Sequence, residues 1–321
     1  MTDTLASYSL LAIYSAMAIY AIAFIMFTLD LARRSAPAPV RLEAAVGAAS
    51  AKRGSTALLE RLSTDAPAAA QPKGPRYLRA AFALTVVAWA LHVTGAVLRG
   101  VAAGRVPWAN MFEFTLTATA IIIGVFIAVQ VWQDLRFLGA FVSGFVLLAL
   151  GIASTNFYVD VVPLPPALQS AWLVIHVFVA SLGTGFFALG AALSVVQLLQ
   201  ARRAAGRAVR LHFLDTLPTA DKLENLAYRV IVVGFVFWTF TLIAGAIWAE
   251  HAWGRYWGWD TKEVWTFIIW TIFAGYIHAR ATRGWRGSRS ATLAIIGFGA
   301  VVFNFTIVNL FFKGLHAYSG L

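Results

Sequence analysis

The chain has 321 residues, of which 60% are hydrophobic and only 12% charged, and it contains no Cys. Soluble domains carry roughly 25% charged residues, so a soluble enzyme and a disordered chain are excluded. Without thiols, a disulfide-stapled domain, thiolate metal binding and thiol exchange are excluded as well.

Eight stretches hold the ~20 apolar residues that a bilayer-spanning helix needs, at roughly 8–29, 78–98, 111–133, 137–154, 171–199, 226–248, 264–282 and 291–312. The first differs from a signal peptide: Asp3 replaces the basic n-region, the apolar run is too long, and Arg33 and Arg34 follow it. It reads as an uncleaved span over residues 1–30 with its N-terminus outside. Residues 31–77 are rich in Ala and Pro, as in Ala36-Pro37-Ala38-Pro39 and Pro72-Lys73-Gly74-Pro75, and predict a flexible cytoplasmic linker with one short surface helix. Residues 78–321 then form a seven-span domain. With the N-terminus outside, 20 of the 25 Lys and Arg fall on the cytoplasmic side, leaving Arg99, Arg105, Arg255, Lys262 and Lys313 outside. The formal charge of +11 is thereby explained by orientation, and no nucleic acid is needed as a partner. The expected fold is all-α: a polytopic membrane helical bundle of about eight transmembrane helices with both termini extracytoplasmic.

Of the six His, His212 falls in a polar cytoplasmic connection and reads as a solvated surface residue. His176 lies about five residues into the fifth span, roughly 7–8 Å below its outer end. His316 follows the eighth span, and His251 falls in the loop after the sixth, so three imidazoles converge on the outer face. His278 lies ~21 Å down the seventh span, in the inner half, while His92 sits in the outer half of the second, where it packs or assists the outer site. The unequal depths of His92 and His278 argue against a pair between them.

Six of the twelve Trp residues fall between positions 248 and 270. An aromatic belt scatters its rings over many span ends, so this clustering predicts a shelf for a large planar ligand. Trp253 and Trp257 are four apart and would share one face of a short interfacial helix. Gly254 and Gly258 would leave that face open, and Arg255 and Lys262 would meet carboxylates on the ligand's rim. Asp260 suits an acceptor of backbone N–H groups that fixes the loop.

The run WGRYWGWDTKEVW at 253–265 resembles the "WWD" motif of haem-handling membrane proteins, and most closely the CcsA (ResC) family of system II cytochrome c biogenesis. Pro107-Trp-Ala-Asn110-Met-Phe-Glu113, Leu173-Val-Ile-His176, Tyr276-Ile-His278-Ala-Arg280 and Lys313-Gly-Leu-His316-Ala-Tyr318 resemble that family's other signatures, over about residues 85–318. Thr261 departs from the family, which usually has Pro there. The resemblance implies a cytochrome c synthase (haem lyase) subunit of the bacterial cytoplasmic membrane, attaching b-type haem to the CxxCH of apocytochrome c, with its Trp loop extracytoplasmic. It implies His176 and His316 as the outer axial ligands, since neutral imidazole binds haem iron well. It implies His278 as a ligand of an inner haem shared with a His of a CcsB (ResB) partner. Trp253, Tyr256, Trp257, Trp259 and Arg255 would hold the macrocycle, and His251 would make a loop hydrogen bond. Asp260 is the candidate catalytic residue, with Glu250 and Glu263 also near enough to protonate a vinyl carbon. Having no thiol of its own, the chain would take both sulfurs from the substrate, kept reduced by a separate system. The alternatives are a haem exporter or delivery protein without ligase activity, a haem-binding electron carrier, and a solute transporter.

Overall fold

Long apolar runs become long helices, because lipid supplies no partner for backbone N–H and C=O groups. A computed structural model describes residues 2–35, 76–161, 169–208, 210–282, 284–312 and 314–316. Their helices are α1 (Thr2–Ser35), α2 (Arg76–Ala103), α3 (Met111–Val129), α4 (Gly139–Asn156), α5 (Ala171–Ala204), α6 (Ala220–Trp253), α7 (Thr261–Thr282), α8 (Ser288–Phe305) and the short α9 (Ile307–Phe311). The predicted linker falls mostly on residues 36–75, outside the described residues, as do Lys313 and Tyr318. Helix α1 nonetheless runs on to Ser35, past the expected end of the first span.

The protein is a multi-pass helical membrane bundle. Among the described residues, seven helices are long and apolar enough to cross a membrane. Helix α7, the counterpart of the seventh expected span, has 22 residues but is less apolar, carrying interfacial Trp residues, Lys262, Glu263, His278 and Arg280. Bulky apolar side chains such as Leu11, Val97, Leu148 and Val236 point away from the protein. That distribution suits lipid as the surrounding solvent.

Helices α5 and α6 share the largest interface, and α1 and α2 the next. Close approach in the first pair depends on Gly190, where a Cβ would lie 2.4 Å from Ile231. Small residues of this kind let membrane helices associate without a hydrophobic driving force between them. Phe187 of α5 stacks on Phe273 of α7 at 3.6 Å between ring centres, fixing α5, α6, α7 and α8 around one core.

Buried carboxylates pin both ends of the bundle. At the Arg-rich end, Glu224 of α6 accepts from Arg280 of α7 (2.5 Å), from the Gly287 N–H (2.8 Å) and from Ser290 of α8 (3.2 Å). At the other end, Glu113 accepts from Arg99 (3.0 Å) and Arg105 (2.5 Å), and Asn110 caps α3 by accepting from the Glu113 N–H. The Pro107–Glu113 signature is thus a structural lock that holds the start of α3 against the end of α2.

Candidate functional site

The Trp loop begins where α6 stops. Gly254 takes φ 69°, the left-handed conformation that Gly adopts without a Cβ penalty, and its N–H bonds to Glu250 O at 2.8 Å. The chain is then non-helical until α7 starts at Thr261. The expected interfacial helix across Trp253 and Trp257 is therefore absent: Trp253 ends α6, and the reversal at Gly254 sends Trp257 elsewhere. His251, expected in the loop, lies on the last turn of α6, exposed, with Nδ1 donating to Ile247 O at 2.8 Å. Gly258 also differs from expectation, because the Arg255 guanidinium folds over it and a Cβ there would collide with that group.

Helix α7 opens with a capping box. Glu263 Oε2 accepts from the Asp260 N–H (3.0 Å) and from the Gly258 N–H (2.8 Å), tying the loop to the first helical turn. Thr261 occupies the first helical position, where a Pro also fits, so its departure from the family leaves the turn unchanged. The Asp-x-x-Glu spacing at 260–263 was the sequence signal for this cap.

Two histidines from distant parts of the chain meet one cavity. His176 on α5 donates from Nδ1 to Thr241 O on α6 at 3.0 Å, and the Cε1–Nδ1 edge of its ring lies against Gly245. His316, after α9, donates from Nδ1 to Asp260 Oδ2 at 2.7 Å, while Asp260 Oδ1 accepts the Leu315 N–H at 3.0 Å. The His316 hydrogen bond, with backbone N–H donors behind it, holds the Asp260 carboxyl at about 2. Trp248 touches both imidazoles, stacked on His176 at 5.9 Å and edge-on to His316 at 5.4 Å, and Trp253 closes on His316 at 4.8 Å. In a neutral imidazole whose Nδ1 carries the proton, Nε2 holds a lone pair. Nδ1 of each ring is thus engaged, by a carbonyl in one case and a carboxylate in the other, which leaves Nε2 as the atom that would face a metal.

The cavity has a volume of about 370 Å³, within the range of small-molecule sites. Its walls come from α3 to α8 and are mainly apolar, with His176, His316, Thr241, Lys262 and Glu263 among the polar groups. Lys262 Nζ bonds to Asn309 Oδ1 and Asn304 O, and no carboxylate lies within ion-pair distance of it among the described residues.

The remaining expected site residues divide. Trp257 and Tyr256 line the cavity, Trp257 standing edge-on to Trp259 at 5.8 Å. Trp259 itself is 74% exposed, with φ 59°, and Arg255 does not line the cavity. Asp260 stays behind His316 as its orienting partner and is not part of the cavity wall. His278 is exposed on α7, roughly 20 Å from the cavity end of that helix. His92 is fully buried, donating from Nε2 to Leu116 O at 2.9 Å with Nδ1 beside the Tyr20 hydroxyl, so it packs α1, α2 and α3 together. Sequence reasoning missed Trp248, whose contact with both imidazoles depends on the pairing of α5 with α6.

Comparison with known proteins agrees with this architecture. The family described as cytochrome C assembly protein matches residues 107–316, which include every residue lining the cavity. The chain belongs to this family. Its CcsA character is equally plain. It is 35% identical over 266 residues to cytochrome c biogenesis protein CcsA of Synechococcus elongatus, covering 68% of this chain and 81% of that one. The CcsA proteins of Gloeobacter violaceus (33% over 288 residues, 72% and 84%) and Trieres chinensis (33% over 255 residues, 70% and 81%) are similar to it as well. Among solved structures the fold resembles cytochrome c haem lyase CcmF, with a TM-score of 0.61 at 16% identity. That likeness covers 94% of this chain and 46% of CcmF, so the chain spans about half the length of that protein. Membership assigns the chain to haem handling in cytochrome c maturation.

Proposed function

We propose that the chain is the membrane subunit of a cytochrome c synthase that brings haem to the outer face of the bacterial cytoplasmic membrane and positions it for thioether attachment to apocytochrome c. The observation that carries this reading is the matched pair His176 and His316, each anchored through Nδ1, each lining one apolar cavity. The donor set fits a haem taken as substrate: two imidazoles for the iron, apolar walls for the ring, and Lys262 Nζ for a rim carboxylate. Haem supplies the reactive vinyl groups; this chain's residues supply position and electrostatics. Trp248 and Trp253 keep the imidazoles from turning, Asp260 orients His316, and Trp257 and Tyr256 border the cavity where the substrate's CxxCH would approach. Approach of that segment from the loop side, with its own His replacing one of the two imidazoles, brings its thiols within reach and also permits release.

A second ligand site fits the opposite end of the bundle. His278 is exposed on α7 near the Glu224–Arg280 pair, which suits a haem shared with a CcsB-type partner. In this reading the positive-inside distribution makes the Trp loop extracytoplasmic. A separate system keeps the substrate thiols reduced.

The test is haem content and attachment. His176→Ala and His316→Ala, co-produced with a CcsB-type partner and a CxxCH reporter, are expected to lose covalent haem on the reporter, with part restored by imidazole. His278→Ala is expected to lower the haem content of the purified complex. Wild-type levels of c-type haem in either cavity variant refute the proposal.

A further inference from the structure

Adding a thiol across a vinyl group requires a proton to leave sulfur and a proton to reach carbon, so an acid–base group is needed beside the cavity. Three carboxylates near the Trp loop are candidates by sequence, and their surroundings separate them. Glu250 is half-buried on α6 beside His251 and does not line the cavity. Asp260 has both oxygens engaged, one by His316 and Lys262 N–H, the other by Leu315 N–H, and it also lies outside the wall. Glu263 is 8% exposed and lines the cavity. Its Oε2 accepts the two loop N–H groups, while its Oε1 is buried with no hydrogen-bond partner. A buried acceptor left unsatisfied costs free energy, so its retention in this wall calls for a function.

We infer that Glu263 is the proton-transferring group of the thioether step, an assignment that rests on the synthase reading given above. The carboxylate oxygen takes the proton of the substrate thiol as sulfur bonds to the ring-attached vinyl carbon. As that bond forms, the π pair takes the proton from the carboxyl at the terminal vinyl carbon, which becomes a methyl group, so no free carbanion is left on that carbon. Atoms and charge balance, no oxidant or reductant enters, and the carboxylate is regenerated. The second oxygen keeps the capping box closed throughout, so the base stays fixed to the rigid start of α7.

Glu263→Gln separates this role from loop support, because the amide oxygen still accepts both N–H groups. In the purified complex with a CcsB-type partner, given ferrous haem and a synthetic CxxCH peptide, E263Q is expected to bind haem as wild type does, with the same absorption spectrum. Its single-turnover attachment is expected to fall by at least about 100-fold, the lower end of general acid–base contributions. In Glu263→Ala, formate, sized for the missing carboxyl, is expected to restore attachment without altering haem affinity, a response that a loop brace does not give. Attachment by E263Q at the wild-type rate, or a parallel loss of its haem binding, overturns the assignment. Failure of the wild-type chain itself to bind haem instead overturns the functional reading beneath it.

Discussion

Gly245 is the position where one methyl group tests the proposed ligand directly. A Cβ there would stand 2.7 Å from Cε1 and 2.8 Å from Nδ1 of His176, about 1 Å inside the usual contact distance. The Gly245 backbone is held inside α6, about two turns before its end, so the imidazole must move, and moving it stretches the 3.0 Å bond to Thr241 O. Overpacking of this kind costs ~1–3 kcal/mol. The unliganded ring can swing away, but a ring bound to iron cannot, so the cost falls on binding, an expected loss of about 5- to 150-fold in haem affinity. Folding moves the other way, since Ala is favoured over Gly inside a helix by ~0.5–1 kcal/mol. Gly275 on α7 is the control, because a Cβ there meets nothing within 4 Å. Haem titration of the purified chain, followed by absorbance and paired with thermal unfolding, reads both terms. Gly245→Ala should bind haem more weakly while unfolding no earlier, and Gly275→Ala should bind as wild type does. Equal affinities for Gly245→Ala and wild type refute His176 as a cavity ligand.

Asp260→Asn removes the charge that orients His316, and an outer partner of a ligating His is worth about 10- to 100-fold in affinity; the same titration measures it. The Asp260 carboxyl is held at about 2, below the ordinary ~3.9, so its contribution is full above the unfolded value and is lost as pH falls through about 2. The protection of the Leu315 N–H, its exchange rate relative to the intrinsic rate at each pH, should therefore fall between pH 4 and pH 2 in wild type and show no such step in the Asn variant. Lys262→Gln should weaken binding of haem but leave binding of its dimethyl ester unchanged, since only the free acid carries the anionic partner; equal losses for the two would reject an ion pair there. Glu113→Gln removes the buried negative charge that Arg99 and Arg105 share and should destabilise the bundle by ~3–5 kcal/mol, read from thermal unfolding, with the haem affinity of the folded fraction preserved.

Helices were the legible part, because apolar length alone demands internal backbone pairing in lipid. Each expected span except the region beyond Phe305 coincides with one helix, and there α8 breaks at Thr306 before the short α9. Chemical identity was legible too, since the Trp loop and its accompanying signatures are local strings of residues. The geometry of that loop was not. Four-residue spacing of Trp253 and Trp257 suggested a shared helical face, but spacing carries that meaning only where the helix continues, and Gly254 ends it. Gly258 likewise read as open space until Arg255 was seen lying over it.

Sequence by itself determined that this chain is a membrane bundle, which imidazoles fall near its outer face, and which family it joins, because length, hydropathy and motif strings are written along one dimension. Tertiary structure alone decided which of those groups share a cavity. His176 and His316 stand 140 positions apart in the sequence, and only the packing of α5 on α6, with the return of the chain after α9, brings both against Trp248. The same packing set Asp260 behind an imidazole and Glu263 on the wall, a difference in role between two carboxylates three residues apart that no linear pattern encodes.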